Sequence, residues 1–487
     1  MNSNFMSNVP STLLATWVLF VSCSRDVERK QDHIGGFAAS RLDESISAPF
    51  ASTNRKDFMS HPGVPVYVAA GVRSPFLKAG GAFSHLDALA LSVPVVQEMA
   101  ARLGDARPDM LVWGSVIPNL TWSNLAREVL LDAKLDATIP AFSTVMACST
   151  SMVGAFQAAG MIDGKARHLA IVGGAESMSR VQIGFGQNFS DWLREFQSAR
   201  TLGQRLHHLV ELSPKDIRLW IPKVANRTSG LSMGEHTEIT AKQWNVSREV
   251  QDRLALASHR QAVEGWERGF FDGLVMPVQT PDGPVSRDGL ARKDTSLERL
   301  ASLKPAFDKT SGLGTLTAGN SSALTDGAAA LWVGSEEGVG RLPAGTPIVR
   351  LVDWELASVD FRTEGLLMAP AFAVPRLLAR HGLRYEDIDL WEIHEAFAAQ
   401  LAFHIEAWED AAFLRTRVGV EPAFGAFPRD RVNPNGGSVA LGHPFAATGA
   451  RILSQAVKEL ATRAGGTKAI VSICADGGLG TVALLEV

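Results

Sequence analysis

The chain has 487 residues, 46% of them apolar and 20% charged, with a formal net charge of −4. That length exceeds one small core and predicts two or three lobes, while the mild acidic balance excludes the basic stripe expected of a nucleic-acid-binding protein. Only three cysteines occur, Cys23, Cys148 and Cys474, too few for a disulfide framework, so the compartment reads as reducing and the thiols as candidates for chemistry.

Residues 1–58 differ from the rest. Leu13–Val21 is a mostly apolar run of nine, too short to span a bilayer. Met1–Thr12 carries no Lys or Arg, as a secretory signal would require, and Asp26, Glu28, Asp32, Asp43 and Glu44 break the acid-poor pattern of a mitochondrial presequence. The segment reads as an extension, disordered or outside the working protein, with a start near Met59. A cytoplasmic location is expected.

From Val64 onward strand and helix signals alternate, which predicts an α/β fold with buried sheets. A strand is expected over Val64–Ala70, a helix over Asp87–Leu103 and a strand over Met110–Val116. Cys148 then stands at a strand-to-helix junction. The helix after it, Ser151–Ile162, is almost wholly apolar and belongs in the middle of the protein. His168–Glu176 follows as a buried strand with a glycine turn. Between Met178 and Ser321 the chain is richer in charge, Trp and His, and Ser247 is a plausible N-cap for a helix through Val263. This stretch reads as an inserted lobe.

The C-terminal part repeats the order, with a helix over Ala446–Leu460 and a buried strand over Thr467–Cys474. Leu169–Gly174 laid beside Lys468–Ile473 suggests two related halves. The division is then 59–177 and 322–343 for the first half, 178–321 for the lobe and 344–487 for the second half.

Four segments carry chemistry: Met146-Ala147-Cys148-Ser149, His394-Glu395-Ala396-Phe397, Gly442-His443-Pro444 and Cys474-Ala475-Asp476-Gly477-Gly478. They offer two thiols and two imidazoles among small residues where a ligand can approach, enough for nucleophilic catalysis with separate proton carriers. A thiolate at a helix N-terminus is favoured by the helix dipole and by a neighbouring imidazole, so Cys148 suits a nucleophile. Taken singly, each cysteine reads as structural and His394 as a satisfied loop histidine, whereas His443, in a tight loop between glycine and proline, is poorly placed for a core residue and well placed for a general base. His207, His208 and His236 lack ligand spacing with acidic partners, so no metal is expected. Gly312 and Gly314 lack the βαβ unit of a nucleotide fingerprint.

In chain order these segments resemble the thiolase family, together with Ser232-Met233-Gly234, Thr317–Asn320, Asp326–Ala329 and Val432–Gly437, over about residues 64–487. The resemblance implies a thiolase-like fold, two related βαβαβαββ halves stacked in layers with an inserted loop domain. It also implies 3-ketoacyl-CoA cleavage through an acyl-cysteine, or the reverse condensation. By family position Cys148 is the nucleophile, His443 its base and Cys474 the acid for the departing enolate. His394 helps to build one oxyanion site, Glu395 orients its loop, and the backbone N–H groups of Cys148 and Asp476 form a second. Met233, Ser322 and Phe397 are the implied substrate and coenzyme A contacts. Coenzyme A is expected as a substrate, with no tightly bound cofactor.

His394, where many thiolases have Asn, resembles the β-subunits of fatty-acid-oxidation trifunctional complexes, as do Phe445–Gly449 and Asp216-Ile217-Arg218. That implies a homodimer or higher oligomer, and a hydratase/dehydrogenase α-subunit that would bring the protein to a membrane periphery. Two departures stand out. Ser151 occupies a position where many thiolases have Gly, and Asp476 one usually held by Gly or a small apolar residue. Strand alternation puts Asp476 on the side of Cys474, so its carboxylate is expected to face inward and raise nearby thiol pKa values. A thiolase-like acyl-CoA binding protein without turnover is therefore one alternative. A ketoacyl synthase is another, against which the second cysteine, Cys474, argues.

Overall fold

Alternating apolar strands and helices build one mixed sheet. The computed structural model describes residues 64–487 apart from 163 and 223, so the extension expected over 1–58 lies outside the described residues. In the first half the elements are β1 (Tyr67–Ala69), α1 (Ala88–Ala101), β2 (Met110–Gly114), α2 (Leu125–Asp132), β3 (Ala141–Ser143), α3 (Thr150–Met161) and β4 (Leu169–Glu176). The lobe contributes α4 (Gln187–Ser198), α5 (Leu202–Glu211), α6 (Met233–Gln243) and α7 (Arg248–Glu267). Then come β5 (Thr325–Gly334), β6 (Ile348–Ser358), α8 (Ala369–His381), β7 (Leu390–Ile393), α9 (Ala398–Glu409), α10 (Thr448–Leu460), β8 (Lys468–Ala475) and β9 (Leu479–Glu486).

The strand order is β7-β8-β9-β6-β1-β5-β4-β2-β3, and the two halves repeat one another about the antiparallel β1–β6 pair, where Val68 faces Val349. In the first half β4 pairs parallel with β2 and antiparallel with β5. In the second, β8 pairs parallel with β7 and antiparallel with β9. The runs Leu169–Gly174 and Lys468–Ile473 are thus equivalent strands.

The period-two alternation of strand side chains sorts the apolar residues into three cores. Val112, Val172, Leu331, Val471, Ile473 and Leu485 pack on Met152, Phe156, Ile452 and Leu453 of α3 and α10. Their neighbours Leu111, Trp113, Ile171 and Trp332 turn the other way, onto α1 and α2. Ile470, Val482 and Leu484 turn onto α8 and α9. Helices α3 and α10 therefore lie between the two halves, and the layers run helix, sheet, helix, sheet, helix. On α3 only Gln157 and Gly160 are exposed, as an all-round apolar helix requires.

Helix α7 is capped by Ser247, whose side chain accepts the Val250 N–H. It runs on to Glu267, past the expected end at Val263, because Gly265 packs on Phe271 instead of stopping the helix. Helices α4 and α5 bury no residue. Among the described residues no helix is long and apolar enough to cross a membrane.

Helices α3 and α10 touch backbone to backbone. A Cβ on Gly449 would lie 2.3 Å from the Met152 nitrogen, and Ser151 Oγ accepts the Ala450 N–H at 2.8 Å. Ser151, anomalous as sequence, thus satisfies an amide in the first turn of α10 that has no partner within the helix. Gly449→Ala should lower unfolding stability by about 1–3 kcal/mol through overpacking. Gly160→Ala, with nothing within 4 Å of its new Cβ, should be neutral or stabilise by up to ~1 kcal/mol. Chemical denaturation of the two variants checks the opposite signs.

Candidate active site

Cys148 sits on a tight turn between β3 and α3. Ser149 N–H donates to the Met146 carbonyl at 3.0 Å. Thr150 Oγ1 accepts the Met146 N–H at 2.9 Å and donates to the Ala147 carbonyl at 2.7 Å. Ala147, with φ of 45°, is held in the left-handed region by this closure, a conformation costly for a residue with a Cβ and found where surroundings over-determine it. The turn lifts Cys148 clear of the helix, and the thiol keeps partial exposure.

Burial nevertheless pushes the Cys148 thiol up to about 12, and the Asp476 carboxylate adds to the rise. The backbone amides of Asp476 and Cys148 oppose it. This corrects the expectation of a favoured thiolate. Desolvation disfavours the charged form by more than the amides return, so Cys148 rests as a neutral thiol.

One nitrogen each of His394 and His443 lies with Cys148 Sγ, all three atoms within 4.8 Å of one another. His394 follows β7, its N–H donating to the Ser472 carbonyl at 2.8 Å. His443 N–H donates to Thr325 Oγ1 at 2.8 Å, which ties the Gly-His-Pro turn to the start of β5. The rings are 4.2 Å apart between centroids. Each engages a hydroxyl through Nδ1, His394 with Ser438 at 2.8 Å and His443 with Thr448 at 2.6 Å. Both Nε2 atoms are buried without a hydrogen-bond partner among the described residues. Burial holds His443 down at about 3 and His394 well below the ordinary imidazole range, so both rings are neutral near pH 7.

Cys474 lies at the end of β8, opposite Gly480 of β9. Gly477 and Gly478, with φ of 88° and 76°, close the three-residue link to β9 in left-handed conformations that favour glycine. Burial and then the charge of Cys148 hold Cys474 well above the usual thiol range. The strands are fastened to α3, since Thr481 Oγ1 donates to Ser149 Oγ at 3.0 Å and Ser149 donates to the Ile473 carbonyl at 3.5 Å. Asp476 extends its carboxylate to Asn226 of the lobe, accepting from Nδ2 at 2.9 Å, while its charge still reaches Cys148.

Glu395 is buried and fully engaged by its neighbours. Its carboxylate accepts from Ser258 Oγ at 2.7 Å, Asn433 Nδ2 at 2.7 Å and the Val439 N–H at 3.2 Å. Asn433 in turn bonds both the N–H and the carbonyl of Ile393. Phe397 meets Phe307 edge to face at 5.8 Å, and Gly234, next to Met233, leaves room for the Phe307 ring. Ser322 N–H donates to the Ala396 carbonyl at 3.0 Å, which places Ser322 beside the residue before Phe397.

The sequence reading did not single out Ser438, Thr448, Arg451, Thr325, Asn226 or Glu176. Glu176 is buried and accepts from the Val116 and Ile117 amides, Ser115 Oγ and the Ala446 N–H, binding the turn after His443 to the loop after β2. Only its place at the end of an apolar strand, beside glycines, signalled a buried carboxylate.

Comparison with known proteins places most of the chain in one family. A family model described as thiolase, N-terminal domain, matches residues 66–337, and one described as thiolase, C-terminal domain, matches residues 345–487. A 3-ketoacyl-CoA thiolase of Shewanella baltica is 37% identical, covering 89% of this chain and 100% of the relative. That of Pectobacterium carotovorum is also 37% identical, over 87% of this chain and 97% of its own. The Bacillus anthracis acetyl-CoA acetyltransferase superposes with a TM-score of 0.69 at 30% identity, covering 88% of this chain and 100% of that one. The Ascaris suum Acat5 thiolase, solved with coenzyme A, gives 0.68 at 28% identity over 87% and 99%.

The raised thiol has a direct consequence. The alkylating form is the thiolate, whose fraction rises about tenfold per pH unit below the pKa. Iodoacetamide labelling of Cys148, followed by mass spectrometry, should accelerate from neutral into alkaline pH without a plateau near neutrality. Asp476→Asn removes the second cause of the rise and should speed labelling several-fold at fixed pH. A plateau below about pH 8 would contradict the burial argument.

Proposed function

This chain belongs to the thiolase family, and from that premise we propose that it is an acyl-CoA C-acyltransferase. It cleaves 3-ketoacyl-CoA with coenzyme A to acetyl-CoA and a shortened acyl-CoA, or runs the reverse condensation. The observation that supports this most is the meeting of Cys148, His394 and His443 within 4.8 Å beside a second thiol.

As Cys148 Sγ attacks the 3-keto carbon, its proton passes to His443, which burial keeps neutral and able to accept. The new oxyanion faces the amides of Cys148 and Asp476. Collapse of the tetrahedral intermediate breaks the carbon–carbon bond and leaves an enolate whose oxygen faces His394. Cys474 protonates the α-carbon, and acetyl-CoA departs. The Cys474 thiolate then takes the proton of the incoming coenzyme A thiol, which attacks the acyl-cysteine. Cys148 leaves and regains its proton from His443. A neutral resting thiol suits this sequence, because deprotonation is coupled to attack.

Coenzyme A enters as a substrate. The lobe over 178–321 holds it, with Met233, Ser322 and Phe397 along the acyl and pantetheine path. His394 in place of Asn supports a trifunctional-type oligomer with an α-subunit partner. The Asp476 charge beside Cys148 slows attack without removing any reacting group, so it tempers turnover rather than abolishing it.

Assays of the purified protein with ketoacyl-CoA substrates of several chain lengths test the reading. Cys148→Ala should remove turnover and leave the fold intact. Cys474→Ala should block carbon–carbon cleavage and α-proton exchange of acetyl-CoA while Cys148 still accepts an acyl group. Equal loss of acylation in both variants would overturn the separate roles. A base must be unprotonated to act, so an ordinary histidine would lose activity as pH falls through about 6.5. With His443 held at about 3, kcat/KM should show no such limb between about pH 8 and 5.

A further inference from the structure

His394 and His443 look alike from the cleft: two neutral rings, each bonded to a hydroxyl through Nδ1 and each presenting an unpartnered Nε2. The proposed chemistry needs them to differ, one giving a hydrogen bond to an enolate oxygen and the other holding a lone pair for a thiol proton. The difference lies behind the rings, in which way each hydroxyl points.

Ser438 Oγ accepts a hydrogen bond from Arg451 Nη2 at 2.5 Å. A guanidinium can only donate, so this bond has one direction. The Ser438 proton must go elsewhere, and His394 Nδ1, at 2.8 Å, is the other partner of that oxygen among the described residues. If His394 instead carried its proton on Nδ1, Ser438 would receive two donors and its own proton would be buried without an acceptor, which is costly. The proton of His394 therefore belongs on Nε2, facing the cleft.

His443 is arranged the opposite way. Thr448 Oγ1 has a carbonyl within reach, that of Pro444 at 3.4 Å, and a carbonyl can only accept. With its proton turned there, Thr448 accepts from His443 Nδ1–H, and His443 Nε2 is left as a lone pair. Thr448, Arg451 and Gln455 lie on one face of α10 at helical spacing. Gln455 Oε1 accepts from Arg451 Nη1 at 3.2 Å and its Nε2 donates to the Gly436 carbonyl at 3.4 Å, steadying the guanidinium. Glu392 of β7 is buried nearby, and that burial pushes its carboxyl up to about 8 while Arg451 opposes the rise.

We propose that Arg451 and Ser438 are positioning residues that fix His394 as its Nε2–H tautomer, while Thr448 fixes His443 as the opposite one, so that α10 makes one imidazole a donor and its neighbour a base. This rests on the thiolase reading for its purpose, but not for its geometry.

The test is 15N NMR of the full-length protein labelled at histidine, with His394→Gln and His443→Gln identifying the signals. In the resting wild type, Nε2 of His394 should give a protonated, pyrrole-type signal and Nε2 of His443 a bare, pyridine-type one. Ser438→Ala should shift the His394 signals towards a tautomer mixture and leave those of His443 in place. It should lower kcat about 10- to 100-fold, short of the roughly 10²–10³ lost with a whole oxyanion donor, with KM within about twofold. Ser438→Thr, which keeps the hydroxyl, should recover most of the rate. An Nδ1–H tautomer of His394 in the wild type, or an unchanged kcat in Ser438→Ala, would overturn the proposal. An inactive wild type with the expected tautomers would overturn the functional reading alone.

Discussion

Everything in the site depends on two helices approaching closely enough to touch through backbone. Where Gly449 meets the Met152 nitrogen, α3 and α10 fill the space between the two halves of the sheet, which are joined through the β1–β6 pair. The N-terminal end of α3 carries Cys148, and the turn before α10 carries His443. A larger side chain at the crossing would separate the two ends, and the nucleophile from its base, by the width of that side chain. Ser151 makes the approach polar as well as tight. Its hydroxyl joins α10 at Ala450, so the register of the two helices is fixed by a directional bond as well as by steric fit.

The second constraint is desolvation. The same packing that brings two thiols and two imidazoles together raises both thiols and lowers both imidazoles. Each shift works against the charged form, so the two thiols and two imidazoles themselves rest close to neutral. A neutral site keeps charge separation for the moment a carbonyl arrives, when the amides and the His394 Nε2–H are the donors for the oxygens that become negative. Preorganised donors in a dry site contribute most when charge develops late.

Much of this was legible because it is local. The strand-to-helix junction at Cys148, the Gly442-His443-Pro444 turn and the glycines after Asp476 are short segments whose shape follows from residue type, and the all-apolar α3 announced its central place. The alternation of strand and helix signals also pointed to buried sheets. What sequence did not carry was direction. Ser438, Thr448 and Arg451 are ordinary helix residues in one dimension, and Arg451 reads as a solvated charge until the fold buries it between the halves. The thiol pKa was misjudged for a related reason. A helix N-terminus is visible in the sequence, whereas the depth of the pocket above it is a sum over distant segments. The end of α7 lies beyond Val263 because Gly265 continues the helix and packs on Phe271, a contact between separate segments.

Asp476 shows how the lobe and the core meet at one atom. Its backbone N–H belongs to the core and favours the Cys148 thiolate, while its carboxylate opposes that thiolate and is held by Asn226 of the lobe. Asn226 Oδ1 in turn accepts the amides of Thr228 and Ser229, so the side chain that restrains the carboxylate also shapes the loop leading into α6 and Met233. A glycine at position 476 would supply the amide without the charge or the tether. Here the electrostatics of the nucleophile are tied to the conformation of the segment 226–233, and any movement of that segment changes how strongly the thiol resists losing its proton. The departure from the family pattern therefore leaves the reacting groups intact and alters the field around them.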